Sequence, residues 1–180
     1  MINPILEAIS TRRIVRSMMD RPIDRPQLEE ILNAARWGPN AGNRRLQRFV
    51  VVQDPLTLRL LRMVAPGMFQ HPAAVIVICI DRKRAAGFGI LPASKGLYID
   101  VGTAGQTMLL AAHSLGLGSG IVTSFSQAAV SEVLNLPEHL SPEMLVCLGY
   151  AAAVQPSAMR PRSRITWQSL TDWERFPARR

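Results

Sequence analysis

The sequence has few cysteines, few lysines and few aromatic residues, and it has no long apolar run. Its two cysteines, Cys79 and Cys147, both lie within short apolar segments. This is typical of core residues in a reducing compartment and argues against a disulfide framework. No segment approaches the roughly 20 apolar residues that a membrane-spanning helix needs. The amino terminus becomes basic only after its apolar stretch, which is the reverse of a secretory signal. We therefore expect a cytoplasmic globular protein.

Negative charge is also scarce, because 13 acidic residues stand against 21 basic ones and the formal net charge is +8. Only Lys83 and Lys95 are lysines, so the remaining 19 basic residues are arginines. The arginines form separate clusters, and there is no aromatic RNA-binding motif. This distribution of positive charge argues against binding of nucleic acid. The three histidines lack metal-ligand spacing, and we expect no bound metal. The length of 180 residues fits a single domain over 1–180.

Helical and strand patterns alternate along the chain. Asn3-Pro4, Asp24 and Asp54-Pro55 are typical helix starts, and Asp24 is expected to cap its helix. The apolar periodicity predicts further helices at 98–118 and 126–136, and strands at 48–52, 73–81, 120–125 and 143–151. The strand at 73–81 is apolar on both faces, which indicates a central position. The segment between 82 and 96 is predicted to be a surface loop or a loosely ordered helix. Periodicity alone leaves the parallel or antiparallel pairing open.

The segment "TRRIVRS", residues 11–17, places three arginines around two β-branched residues. A solvated helix face would mix charges of both signs, so we predict that an anionic group binds here. Arginine suits this role because its planar guanidinium makes paired, charge-assisted hydrogen bonds to phosphate. The alternative is an ordinary solvated basic stretch. A second basic group, "MRPRSRIT", spans residues 159–166 near the carboxyl end.

Four stretches in order make the chain resemble the FMN-dependent nitroreductase family. They are "STRRIVRSMMDRPIDRPQLEEILNAARWGPNAGNRRLQRFVVV", "DVGTAGQTMLLAAHSLGLGSGIVTSF", "EVLNLPEHLSPEMLVCLGYA" and "MRPRSRIT". The resemblance implies an α+β fold, a three-layer sandwich whose central, mostly antiparallel sheet is flanked by helices. It also implies an intertwined homodimer with FMN at the subunit interface, and a tail from about residue 154 that reaches the partner.

The resemblance assigns the FMN phosphate and ribityl chain to basic residues from both ends of the chain. Ile14 replaces the small hydroxylated residue that is usual in the family, so its contribution is expected to come from the backbone alone. The expected phosphate-side residues are Arg12, Arg13, Ile14, Arg16, Arg162 and Arg164.

The loop "GPNAGN", residues 38–43, matches the family stretch that covers the flavin from the opposite subunit. The implied contacts are Pro39, Asn40, Ala41 and Asn43. The continuation "RRLQRF" departs from the family pattern N-x-Q-P-W, and Arg44 and Arg45 instead stand at the expected entrance. The effect of this altered loop, Asn43 to Gln47, on substrate access is open from the sequence. The alternative is a loop that merely ends a helix.

The segment "GIVTSF", residues 120–125, matches the stretch that passes the isoalloxazine ring in the family. The resemblance places Ile121 and Val122 against the ring face. It also assigns the backbone N–H groups of Thr123 and Ser124 to flavin N5, where such contacts tune the flavin's electronics. The alternative is an ordinary buried strand end.

The implied activity is NAD(P)H-driven hydride transfer through flavin N5 to a nitroaromatic, quinone or similar electron-poor acceptor. The cofactor carries the chemistry, so no side chain is assigned as a catalytic acid or base. Two other functions remain open from the sequence. One is a flavin-dependent oxidase or dehydrogenase of a peptide-derived or heterocyclic substrate, and the other is a non-catalytic protein that binds flavin or another anion. The preference for NADH or NADPH is also open.

Overall fold

A single antiparallel sheet organises the chain in this computed structural model, which describes residues 3–153 and 165–175. Its four strands lie in the order β1-β2-β4-β3, and every neighbouring pair is antiparallel. The strands are β1 (Gln47–Val52), β2 (Ala74–Asp81), β3 (Gly118–Val122) and β4 (Leu140–Gly149). The helices are α1 (Pro4–Thr11), α2 (Arg25–Ala35), α3 (Pro55–Met63), α4 (Arg82–Gly87), α5 (Lys95–Ser114) and α6 (Gln127–Val133).

Strand β2 explains the three layers, because every one of its residues is buried. Successive side chains of a strand point to opposite faces of the sheet. Ile76, Ile78 and Ile80 therefore pack in one cluster with residues of α2 and α5. Val75, Val77 and Cys79 pack in a second cluster, with residues of α3 and α6. The α+β sandwich and the central position of this strand are confirmed.

Asparagine or aspartate followed by proline begins two helices as predicted. The Asn3 Oδ1 atom accepts a hydrogen bond from the backbone N–H of Ile5 at 2.9 Å. The Asp54 carboxylate accepts one from Thr57 N at 2.8 Å, which satisfies a donor that the helix itself leaves free. The predicted cap at Asp24 is wrong in detail, since its side chain makes no capping hydrogen bond although α2 begins at the next residue.

The largest differences between the predicted and the observed element boundaries lie in α4 and α5, the two helices that follow β2. Residues 82–87, predicted as a loop or a loose helix, form α4, whose first turn is capped by the Asp81 carboxylate through Arg84 N at 2.9 Å. Helix α5 starts at Lys95, ahead of the predicted start, and ends at Ser114. Within the described residues, no helix is long and apolar enough to cross a membrane.

Both cysteine thiols are expected to resist modification in the native protein. Cys79 and Cys147 are fully buried, which confirms that they are core residues, and burial raises the pKa of each thiol to about 12. The thiolate is the reactive form, so almost none is present at neutral pH. We expect a thiol reagent such as DTNB to titrate neither cysteine before unfolding and both in denaturant. Rapid reaction of either thiol under native conditions would contradict this packing.

Candidate cofactor site

The basic segment after α1 lies along the outer edge of β3. Ile14 forms a parallel bridge with Ser119, and the backbone N–H of Val15 donates to the carbonyl of Ser119 at 3.0 Å. Further along, Met18 bridges to Ala151 beyond the end of β4. An edge strand exposes unpaired backbone groups, and this segment pairs with some of them. The arginines of residues 12–16 are thereby fixed relative to the sheet.

The close approach of this segment to β3 depends on two glycines of the stretch "GLGSG". A Cβ atom on Gly118 would lie 2.8 Å from Val15 Cγ2. A Cβ atom on Gly120 would lie 2.5 Å from Gln70 Nε2. Both distances are well below ordinary van der Waals contact, so neither position accepts a larger residue without a local shift. No sequence pattern predicted this packing role for the two glycines.

Arg12 presents an unpaired donor at this edge. Its side chain is half-buried, and its Nη1 atom is buried without a hydrogen-bond partner among residues 3–153 and 165–175. A buried charged donor without a partner is costly, so this position is a candidate for binding an external anion. Arg13 differs, because its Nη1 atom donates to the carbonyls of Ser10 at 2.6 Å and Arg12 at 2.8 Å. Arg16 is exposed.

Gln70 also lies at the candidate site, although no sequence pattern pointed to it. It is only 3% exposed, and its Nε2 atom donates to the carbonyl of Val15 at 3.3 Å. Its Oε1 atom is buried and has no hydrogen-bond partner in the part of the chain that the structure describes. Two orphaned polar atoms, the Arg12 donor and the Gln70 acceptor, therefore belong to side chains held at one edge of the sheet. No sequence pattern marks a lone glutamine in a loop, so this position becomes visible only in the fold.

The end of β3 presents main chain more than side chain. Val122 is 2% exposed and packs in the core cluster with residues of α3 and α6, so its side chain is committed to the interior. Ile121 is half-buried and faces α5, where its Cδ1 atom would lie 3.6 Å from a Cβ atom on Gly105. Thr123 and Ser124 are exposed beyond the strand. Thr123 and Ser124 are therefore the residues of this segment that are open to solvent.

The loop at residues 38–43 is anchored to α5. The backbone N–H of Ala41 donates to Asp100 Oδ1 at 3.0 Å, and Thr103 Oγ1 donates to the carbonyl of Pro39 at 2.8 Å. Asn40 Oδ1 accepts from the backbone N–H of Arg45 at 3.1 Å. Burial raises the pKa of the Asp100 carboxyl, and the Ala41 N–H partly offsets that effect.

The structure thus assembles the predicted residues into two groups. Segment 12–16 and Gln70 lie beside β3, which ends at the predicted ring-side residues. The second group lies against α5 or next to it. It consists of the loop residues Pro39, Asn40, Ala41 and Asn43. Arg162 and Arg164 fall outside the described residues. Among the residues that the structure describes, no group of three or more histidine, cysteine or acidic side chains is arranged to hold a metal ion.

Comparison with known proteins agrees with this architecture. The model of the nitroreductase family matches residues 9–150. A Thermus thermophilus protein named NADH dehydrogenase is 30% identical over 196 residues, covering 90% of this chain and 96% of that protein. The FMN reductase of Bacillus subtilis, named as acting with NAD(P)H, is 27% identical over 179 residues, covering 89% of this chain and 70% of that protein.

A solved structure gives the same result for the fold. A nitroreductase family protein from Clostridium difficile 630 superposes with a TM-score of 0.81 at 26% identity, covering 97% of this chain and all of that one. Because the family model matches well over half of the residues, the chain belongs to the nitroreductase family. It is an oxidoreductase of that family, and the resemblance seen in the sequence is confirmed.

Proposed function

We propose that this chain is an FMN-dependent oxidoreductase that takes reducing equivalents from NAD(P)H and delivers them to a nitroaromatic, quinone or similar electron-poor acceptor. The observation that carries the proposal is the Nη1 atom of Arg12 beside β3, which is buried and has no hydrogen-bond partner among the described residues. A phosphate monoester dianion satisfies such a donor, and FMN ends in one. When bound, FMN supplies the hydride chemistry. The name of the Bacillus subtilis relative, FMN reductase, says that this relative acts on FMN, which supports FMN binding by a protein of this fold.

We assign phosphate binding to five arginines. They are Arg12, Arg13 and Arg16 of the segment after α1, and Arg162 and Arg164 of the tail. Arg12 is the best prepared of the described three, because its free donor is already buried. Arg13 exchanges its contacts with the carbonyls at the end of α1 for a contact with the anion. Ile14 contributes its backbone, since its side chain has no polar atom. We assign the Gln70 Oε1 atom as a hydrogen-bond acceptor for the cofactor.

We assign contact with the flavin ring to the residues at the exposed end of β3. The backbone N–H groups of Thr123 and Ser124 orient the flavin ring, while Ile121 and Val122 hold this main chain against α5 and the core. The loop residues Pro39, Asn40, Ala41 and Asn43 cover the ring and exclude water from it. We assign no side chain as a proton donor or acceptor.

A homodimer completes the site in this proposal, with FMN at the subunit interface. Helix α1 contacts α5 but buries none of its own residues, and Ile5, Leu6 and Ile9 are all more than half exposed. In the tail, Trp167 and Trp173 are also largely exposed. Exposed apolar surface of this extent marks an interaction site, and a second copy would cover it.

The test is the visible flavin spectrum of the purified protein, before and after anaerobic addition of NADH or NADPH. We expect a bound flavin band that either nucleotide bleaches and that an electron-poor acceptor then restores. If both nucleotides fail to bleach the flavin while a heterocyclic substrate does so, the oxidase or dehydrogenase alternative replaces this one. A protein that takes up no FMN at all would overturn the flavin assignment.

A further inference from the structure

A polar cleft lies on the α5 side of the molecule, away from the β3 edge. Its volume is about 490 Å³, and its walls come from the end of α2, the loop at residues 38–45, the start of β1, and helices α4 and α5. Five arginines line it, from four separate stretches of the chain. They are Arg36, Arg44, Arg45, Arg48 and Arg84.

The positive charge of this cleft is largely uncompensated. Arg48 pairs with Asp81, with 3.3 Å between Nη2 and Oδ2. Within residues 3–153 and 165–175, the other four arginines form no ion pair. Asp100 lies nearby, but its Oδ1 atom accepts the backbone N–H of Ala41. Like charges gathered in one concave site repel each other and raise the local concentration of anions.

Two of the guanidinium groups are held so that their donors stay available. Arg44 lies over the ring of Phe88, 5.1 Å from its centroid, and Arg36 lies 4.7 Å from the ring of Trp37. Stacking uses the face of a guanidinium and leaves its in-plane N–H groups free to bind an anion. This arrangement differs from that of solvated arginines, whose side chains are unrestrained.

The backbone that carries Arg44 and Arg45 is itself strained. Asn43 and Arg45 have positive φ angles of 52° and 50°, in the left-handed region that asparagine tolerates and that arginine adopts only at a cost. The hydrogen bond from Arg45 N to Asn40 Oδ1 holds the loop in this form. Such strain clusters at functional sites, so the position of Arg45 is specified by the fold.

We propose that this arginine cleft binds a compact oligoanionic group, either a phosphate or neighbouring carboxylates, of the small molecule that the enzyme reduces or oxidises. Asn40 and Asn43 line the same cleft and belong to the loop that we assign to the cofactor. An anion held by Arg44 and Arg45 therefore lies next to the cofactor-covering loop, where the redox partner must enter. In this respect the inference rests on the proposed function, and it adds the charge class of the substrate.

The direct test is calorimetric titration of the FMN-loaded protein with pyrophosphate, and separately with citrate, at low ionic strength. We expect the double variant Arg44→Gln/Arg45→Gln to bind about tenfold more weakly than the wild type. The control is Arg25→Gln/Arg59→Gln, which removes the same charge outside the cleft and is expected to retain the affinity. Preference for pyrophosphate indicates a phosphate ligand, and preference for citrate indicates carboxylates. The site is overturned if neither anion binds the wild type. It is also overturned if the control variant loses as much affinity as the Arg44→Gln/Arg45→Gln variant.

A kinetic test separates this inference from the proposed function. The acceptors are a nitroisophthalate dianion and its uncharged diamide, and the readout is the ratio of their kcat/KM values. We expect the wild type and the control variant to favour the dianion. In the Arg44→Gln/Arg45→Gln variant, the ratio of the kcat/KM values for dianion and diamide should fall about tenfold. If neither acceptor is reduced although pyrophosphate binds at these arginines, the proposed function fails and the anion site stands. If both acceptors are reduced equally and pyrophosphate does not bind, the anion site fails and the proposed function stands.

Discussion

Replacing Arg12 with methionine is expected to weaken FMN binding by about 10- to 150-fold without destabilising the FMN-free protein. A charge-assisted hydrogen bond contributes roughly 1.5–3 kcal/mol, which corresponds to that range of affinity. Among the described residues the same Nη1 atom is buried and has no hydrogen-bond partner, so the chain itself does not offset the cost of burying it. Methionine keeps the long apolar stem and removes that donor. The two effects therefore have opposite signs, which a purely structural arginine would not produce.

The measurement combines fluorescence titration of the apoprotein with FMN and denaturant unfolding with and without the cofactor. Arg12→Lys should fall between wild type and Arg12→Met, because lysine keeps the charge but lacks the planar fork. The matched control is Arg25→Met, whose arginine is exposed and pairs with Glu29 at 2.8 Å. An Arg12→Met protein that is clearly less stable without FMN, yet binds FMN normally, would assign Arg12 a structural role only.

The elements that sequence predicted well are those whose cause is local. The run of residues 73–81 is apolar at nearly every position, and only a strand covered on both faces buries it. Asparagine or aspartate before proline set the first turns of α1 and α3 without tertiary help. The prediction failed in detail at Asp24, where the residue type is right but the side chain makes no capping bond.

The pairing of the strands lay beyond local pattern. Helices and strands that alternate along the chain are equally typical of a parallel sheet, and periodicity reports burial, not direction. In the observed sheet, β4 lies between β2 and β3. It is the last strand in sequence and follows β3 only after helix α6. Only the resemblance to a family pointed to the antiparallel arrangement.

The candidate site was predictable only in part, because part of it exists only when distant segments meet. The arginines of residues 12–16 were visible as a cluster of one charge. Gln70 was not, since its burial depends on Val15 and Gly120, which are 55 and 50 positions away in sequence. The inward position of Val122 was also hidden, because a strand end facing a ligand and one facing a core have the same composition.

Gly120→Ala is expected to lower the free energy of unfolding by about 1–3 kcal/mol and to weaken FMN binding at the same time. The new methyl group would lie 2.5 Å from Gln70 Nε2 and 3.5 Å from the Val15 carbonyl oxygen. Gln70 must then leave its hydrogen bond with Val15, and the segment that carries Arg12 loses its support. Denaturant unfolding and FMN titration measure the two effects. The control is Gly102→Ala in α5, where a Cβ atom meets nothing within 4 Å and stability should rise by roughly 0.5–1 kcal/mol.

A second substitution tests whether Gln70 is the reason for this cost. In the double variant Gly120→Ala/Gln70→Ala the methyl group has room, so stability should recover relative to Gly120→Ala alone. FMN affinity should not recover, because the Gln70 amide, which holds Val15 and offers its free Oε1 atom, is gone. Contacting residues of this kind show coupling energies of about 0.5–3 kcal/mol in a double-mutant cycle. A coupling near zero, or a Gly120→Ala protein as stable as Gly102→Ala, would mean that β3 and the arginine segment do not approach each other as closely as the site requires.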